Sequence, residues 1–541
     1  MSLMRIAAGA VLASLSCLSA ATLYAQNANQ TGDLTTFALT NPGASTLERN
    51  AAIAVQGMCH DLGPLGSGVA LDANTPSGDL YRRCNELIQT AASFQPNSRI
   101  SKFNGRSLGI SQSQLLDSLQ QVSGEEVSTR SELATQVSQG QFANISGRLS
   151  ALRLGNFSLL SHARVADAQS DPSPSAVAAN GPSHAGYADY GSYASDQGSL
   201  RPVVYYYNFA DATMNDSGSA TPARGNGQAS GQLGRHLGWF AEGSYNWGNR
   251  HQTTNEDGFD FKAESFTAGI DYNFGNAVLG VSAGYDHYRA TFDNNSTVSG
   301  GDITLKGASG SIYGAWFSDL LFVNGIVSYG APTTDLARNV VYPSNGACPP
   351  ATPCPSQNRT LSGSPDSTVY AAGVTVGHDF LIDSWDLEAS LAANYRHVKV
   401  DSFQENDTSG GGLALAYSNQ TIESFRSILG LNLSRAISTS FGVVSPTVRL
   451  EWHREFMVGQ QNLQAKYALD ATPGSSPGTF ITCDSCFAIP EDRPDRDFGV
   501  AGAGLSMVLP HRLQGYLFYE RLMGESHLTS NAIALGIRGV F

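Results

Sequence analysis

Charge is scarce in this chain of 541 residues: Asp, Glu, Lys and Arg make up 14%, against about 25% in ordinary soluble domains. Basic residues are the scarcer sign, 32 against 46 acidic, for a formal net charge of −14. An acidic balance without basic clusters argues against nucleic acid as a partner. Long apolar runs are missing beyond residue 25, so no membrane-crossing helix is expected there. Low charge without a disordered composition still leaves one membrane class open, a protein of weakly hydrophobic, alternating strands. Glycine, by contrast, is plentiful at 57 residues.

The N-terminus carries a single charge, Arg5, before an uncharged run from Ile6 to Ala25 that is rich in Ala and Ser. Ala25 is a small residue suited to cleavage, so residues 1–25 read as a signal peptide and the chain as exported. Cysteine is rare too. Without Cys17 in the leader, six remain in three local pairs: Cys59 with Cys84, Cys348 with Cys354, and Cys483 with Cys486. Six cysteines formally allow 15 connectivities, but an oxidising compartment favours disulfides between these neighbours. Closing the 59–84 loop should stabilise by about 3 kcal/mol. A four-thiolate zinc site from Cys348, Cys354, Cys483 and Cys486 is the competing reading, and export disfavours it.

Residues 26–165 read as a helical region. Ser45 can cap a helix from Thr46 to Cys59, and Asp79 one that runs to about Phe94. The 59–84 bond would then staple a helical hairpin. Apolar residues recur at helical spacing again between Gln112 and Arg153, which suggests helix pairing. Residues 166–236 are rich in Ser, Gly, Ala, Pro and Asp, a linker by composition, interrupted by the strand-like patch Val203–Tyr207.

From Leu237 the hydrophobic period changes to two. Phe266, Ala268, Ile270, Tyr272 and Phe274 alternate with Ser265, Thr267, Gly269, Asp271 and Asn273, and similar segments follow to the C-terminus. Twelve strands are expected, at 237–248, 261–274, 276–290, 303–317, 319–331, 367–382, 385–400, 413–436, 441–456, 496–509, 512–523 and 529–541. Their connections, the short eleventh excepted, alternate between long and short, the pattern of an outer-membrane barrel with tight periplasmic turns and long outer loops. A soluble sandwich has no reason to alternate so regularly. Trp239, Tyr272, Phe274, Tyr285, Trp385, Tyr395 and Trp452 fall near strand ends, where interfacial girdles are expected. Arg396, Arg426, Arg449, Glu451 and His453 on the other face imply a hydrated lumen. The last strand sets Ile533, Leu535, Ile537, Gly539 and Phe541 on one face, with Arg538 on the opposite one.

These features, with GWFAEGSYNWG (238–248), SFTAGIDYNFG (265–275), SILGLNLS (427–434), PTVRLEWHREF (446–456) and GAGLSMVL (502–509), resemble the autotransporter β-domain of type V secretion. The resemblance implies a mainly β protein: a 12-stranded antiparallel transmembrane barrel over 237–541, preceded by a small helical passenger or periplasmic region. It also implies outer-membrane lipid, the barrel assembly machinery and periplasmic chaperones as partners. Phe541, Ile537, Leu535 and Ile533 would form the assembly signal, and residues 143–153 are similar to the helix that often precedes such barrels. No cofactor follows from the resemblance, and it does not say what the helical region binds.

Catalytic signatures are also lacking. The one Asn-Asn pair, Asn294–Asn295, falls in an outer loop, and Asn144 is followed by Ile145, so no pore-helix cleavage site is read. A barrel phospholipase would need His and Ser on one strand face, whereas His527 and Ser530 are three apart. The expected activity is non-enzymatic translocation or display of the N-terminal region. A channel or structural barrel with a periplasmic helical domain is the alternative.

Overall fold

The computed structural model describes residues 33–63, 72, 74–95, 107–129, 140–150, 236–295, 298–318, 320–346, 356–382, 384–471, 483–509 and 513–540. The leader, the linker with its Val203–Tyr207 patch, the pair Cys348 and Cys354, and Phe541 lie outside these residues.

Twelve long strands close into one antiparallel barrel. They are β1 Leu237–Arg250, β2 Phe259–Asn273, β3 Ala277–Phe292, β4 Gly301–Ser318, β5 Leu321–Tyr342 and β6 Ser367–Ile382. The second half comprises β7 Trp385–Val400, β8 Gln420–Arg435, β9 Gly442–Glu455, β10 Asp497–Leu509, β11 Leu513–Met523 and β12 Leu528–Val540. Each strand pairs with its neighbours in sequence, and β1 closes the ring on β12 with Gly238 opposite Val540 and Arg250 opposite Leu528. None of these twelve strands is left with an open edge, as a lipid environment requires.

Two expected strands are corrected. Segment 413–436 is divided: Gln420–Arg435 belongs to the barrel, while Leu415–Tyr417 joins Phe403–Gln404, Asn462–Tyr467 and Phe487–Pro490 in a separate four-stranded sheet at the long-loop end. The fifth strand continues past 331 to Tyr342, because its upper part finds a second partner in Gln357–Gly363.

Strands β2 to β8 project beyond the apolar belt, and their polarity reverses where they leave it. Along β2 the outward residues are Asp260, Lys262 and Glu264, then Phe266, Ala268 and Ile270. The inward residues run the other way, Phe259, Phe261 and Ala263, then Ser265, Thr267 and Asp271. The belt half exposes Phe266, Ile270, Leu279, Val281, Ile312 and Trp316 on its outside, the arrangement that faces lipid. The projecting half is built like a soluble barrel, apolar within.

That apolar interior is filled by the N-terminal helices α1 Asp33–Thr40, α2 Thr46–Leu62, α3 Pro76–Ser93 and α4 Gln112–Ser123. Leu47, Val55, Leu87, Ile88, Leu115 and Leu119 share one buried cluster with Phe259, Phe261, Tyr288, Leu305, Leu336 and Val398 of the barrel mouth. Ser45 caps α2 in a reciprocal box with Glu48. The cap of α3 is Thr75, not Asp79, because the helix begins four residues earlier at Pro76. Asp79 is thereby free to bind Arg359 from the Gln357–Gly363 strand, Nη2 to Oδ1 at 2.8 Å.

Candidate functional site: the filled pore and its mouth

Residues 140–150 form a helix inside the barrel. Its sequence has two faces at helical spacing, Gln141, Asn144 and Arg148 on one and Phe142, Ile145 and Leu149 on the other. Both faces find partners, because the lumen is itself two-sided. Phe142, Ile145 and Leu149 pack with Phe240, Tyr313, Phe317, Phe322 and Ile326. The polar face lies along β2 and β3. Gln141 Nε2 donates to both oxygens of Asp286 at 3.1 Å, and Asp286 also accepts from Ser265 Oγ at 2.6 Å. Thr267 Oγ1 donates to Gln141 Oε1 at 2.8 Å. Asn144 Nδ2 donates to Thr267 Oγ1 at 2.8 Å.

Arg148 makes the firmest contact, a two-pronged pair with Asp271 through Nε and Nη2, both at 2.7 Å. Its side chain is 2% exposed and that of Asp271 1%, and Tyr313 Oη donates to the same carboxylate at 3.0 Å. Such forked pairs fix geometry as well as charge, and removing one partner leaves the other buried and uncompensated. From β12, on the other side of β1, Arg538 Nη1 donates to the Gly147 carbonyl at 3.1 Å.

These contacts set the direction of the chain. Gln141, Asn144 and Arg148 meet Ser265/Asp286, Thr267 and Asp271 in that order, and β2 runs from the long-loop end at 259 to the tight turn at Gly275. The helix therefore descends from the helical region at the long-loop end towards the short-turn end, where β1 begins. It does not fill the lumen. Arg396, Arg426, Arg449, Glu451 and His453, all expected to face inward, line a cavity of about 570 Å³ on the opposite wall. Two of its arginines lie over aromatic rings, Arg426 over Phe498 at 4.7 Å and Arg449 over Phe518 at 4.4 Å.

At the mouth, Arg338 of β5 is fully buried and held by Glu405, Nε to Oε1 at 2.6 Å and Nη2 to Oε2 at 2.8 Å. Its remaining nitrogen, Nη1, donates to the Gln121 carbonyl at the end of α4, 3.1 Å away. One guanidinium thus ties the helical region, the barrel wall and the loop sheet together.

The residues singled out from sequence fall in three places. Cys59 and Cys84 are disulfide-bonded between α2 and α3, with Cα atoms 5.8 Å apart. Cys483 and Cys486 are bonded in the long loop before β10, 5.1 Å apart, against Ala416 of the loop sheet. Ile533, Leu535 and Ile537 are exposed on the lipid face of β12, and Arg538 points inward. Gly539 sits under the Trp239 indole, where a Cβ would come within 2.7 Å of Nε1. A larger residue at 539 would displace that ring. Sequence reading missed Arg148, Asp271, Arg338 and Glu405. The Gln141, Asn144, Arg148 spacing was a visible signal, and so was the inward parity of Asp271. Among the described residues no group of three or more His, Cys, Asp or Glu could hold a metal ion.

Residues 239–520 match the family described as Autotransporter beta-domain. Similar solved structures include the translocator domain of autotransporter NalP from Neisseria meningitidis, 17% identical over 57% of this chain and 90% of that one, with a TM-score of 0.40. The β-domain of the Bordetella autotransporter BrkA is 16% identical over 57% and 100%, with a TM-score of 0.39. The transport unit of AIDA-I from Escherichia coli is 15% identical over 58% and 93%, with a TM-score of 0.37. No curated protein matches the chain in sequence.

Proposed function

The chain belongs to the autotransporter β-domain family, and from that premise we propose that its barrel holds its own N-terminal helical region on display at the outer face of the outer membrane. One observation carries this reading: the pore helix runs from the long-loop end to the short-turn end, anchored by Arg148 on Asp271. In an outer-membrane barrel the long loops face outward. A chain that starts beyond those loops and descends through the pore has its N-terminal part outside and rejoins β1 from the periplasmic side. The function is mechanical, and the helical region acts as displayed domain and stopper at once. The channel reading draws on the cavity beside the helix, but it would require that region in the periplasm.

Impermeant thiol labelling of intact cells tests the assignment. Leu39→Cys, at a position 56% exposed on α1, should label without permeabilisation, and Asn276→Cys in the β2–β3 turn only after it. The reverse pattern would place the helices in the periplasm and overturn the reading. Phe541, with Ile533, Leu535 and Ile537, remains the proposed signal to the assembly machinery and its chaperones. Deleting Phe541 should lower the amount of folded barrel several-fold, and equal outer-membrane levels would refute that role.

A further inference from the structure

Gly124 ends α4 with φ of +69°, a left-handed conformation that turns the chain into the barrel mouth. A Cβ there would also run into the Tyr417 hydroxyl. The tight turn that follows, Glu125–Ser128, delivers two carboxyl groups into the junction. Glu125 and Glu126 are 1% and 2% exposed, and Asp257, from the loop between β1 and β2, is 2% exposed. Gln120 Nε2 bridges the two sides, donating to Glu125 Oε2 at 2.8 Å and to Asp257 Oδ1 at 3.3 Å. Glu125 Oε1 and Glu126 Oε2 are buried without a hydrogen-bond partner.

The cations that face this turn are committed to other carboxylates. Arg250 of β1 reaches Glu256 at 2.6 Å and Asp492 of the long loop before β10 at 3.0 Å. Arg338 of β5 is taken by Glu405, beside Tyr417. Asp293, from the loop between β3 and β4, adds one more negative group near Asp257. Carboxylates packed against one another without a dedicated cation favour their neutral forms, because burial and mutual repulsion both oppose ionisation. Burial pushes Glu125 and Asp257 well above the usual carboxylate range, and neighbouring acids push them further. Burial also raises Glu126 to about 7, against the opposing pull of Arg338.

We propose that Glu125, Glu126 and Asp257 form a proton latch that holds the helical region in the barrel mouth when protonated and loosens it on ionisation. These acids bind protons more tightly docked than undocked. Docking is therefore strongest below the ordinary carboxylate range and weakens as pH rises towards and through the raised values. The latch concerns the region that the preceding reading displays at the surface. Its test uses purified full-length protein, so a failure here leaves the membrane side unaffected.

Hydrogen exchange of residues 112–128 in detergent at pH 5.5 and 8.5, corrected for intrinsic exchange rates, should show at least tenfold more opening at the higher pH. Exchange in the barrel strands should not follow. The triple variant Glu125→Gln, Glu126→Gln, Asp257→Asn should stay protected at both values, with a difference below twofold. Glu126→Gln alone, which keeps the other two acids, should remove part of the change around pH 7. A heat-modifiable barrel band on electrophoresis shows that each variant has folded. Equal opening of the parent protein at both values, or an unaltered pH response in the folded variants, would overturn the latch.

Discussion

The two halves of the projecting strands obey the same alternation with opposite meaning. In the belt half of β3, Leu279 and Val281 face outward and Ser282 and Asp286 inward; in the projecting half, His287 and Arg289 face outward and Tyr288, Ala290 and Phe292 inward. On β4, Lys306 and Asp302 replace Ile312 and Trp316 on the outer surface within the same strand. The pleat has not changed, only the medium on each side of it. Outside the belt, water surrounds the wall and the interior holds the apolar helices. Inside the belt, lipid surrounds the wall and the interior holds polar contacts with the 140–150 helix. A side chain's worth in such a protein depends on its height as much as on its face.

Substitutions chosen by height should separate the two halves. The largest effect is expected at Phe261, 2% exposed among the helical core: Phe261→Ala should cost about 3–5 kcal/mol. Denaturant melting of the helical region, followed by far-ultraviolet circular dichroism, would read that loss, and a change under 1 kcal/mol would contradict a shared core. Next comes a pair on one face of β2. Ile270→Lys puts a charge on the lipid face and should cost about 2–4 kcal/mol of barrel stability. Lys262→Leu, on the same face above the belt, should stay within about 0.5 kcal/mol. Urea titration of the compact electrophoretic form compares them, and similar costs would place the lipid boundary elsewhere.

Inside the belt, Arg538→Gln should weaken the hold on the Gly147 carbonyl by about 1.5–3 kcal/mol, seen as faster hydrogen exchange at 140–150 with the barrel intact. The smallest effect is expected from Ser265→Ala, which removes one donor to Asp286 while Gln141 remains, about 1 kcal/mol by the same exchange measurement.

Much of the barrel was legible because its signals are local. Period-two alternation, tight turns and long loops are properties of neighbouring residues, and strand positions followed from them to within a few residues except where loops joined other sheets. The helices were legible in part: Ser45 with Glu48 is a cap readable in four residues, whereas Thr75 displaced Asp79 because Pro76 starts the helix earlier. The pore contacts were not legible in the same way. Arg148 and Asp271 are separated by 123 residues, and Arg338 and Glu405 by 67, so no local spacing relates them.

From the sequence alone come a helical region and a barrel of twelve alternating strands, since short-range periodicity encodes both of them. Only the tertiary structure decides that the helical region and the barrel mouth share one core, and that residues 140–150 descend the lumen with Arg148 at the short-turn end. Alternation states that a strand has two faces, but not what touches each. That depends on which distant segments the closed barrel brings to its interior, and on where along its height lipid gives way to water.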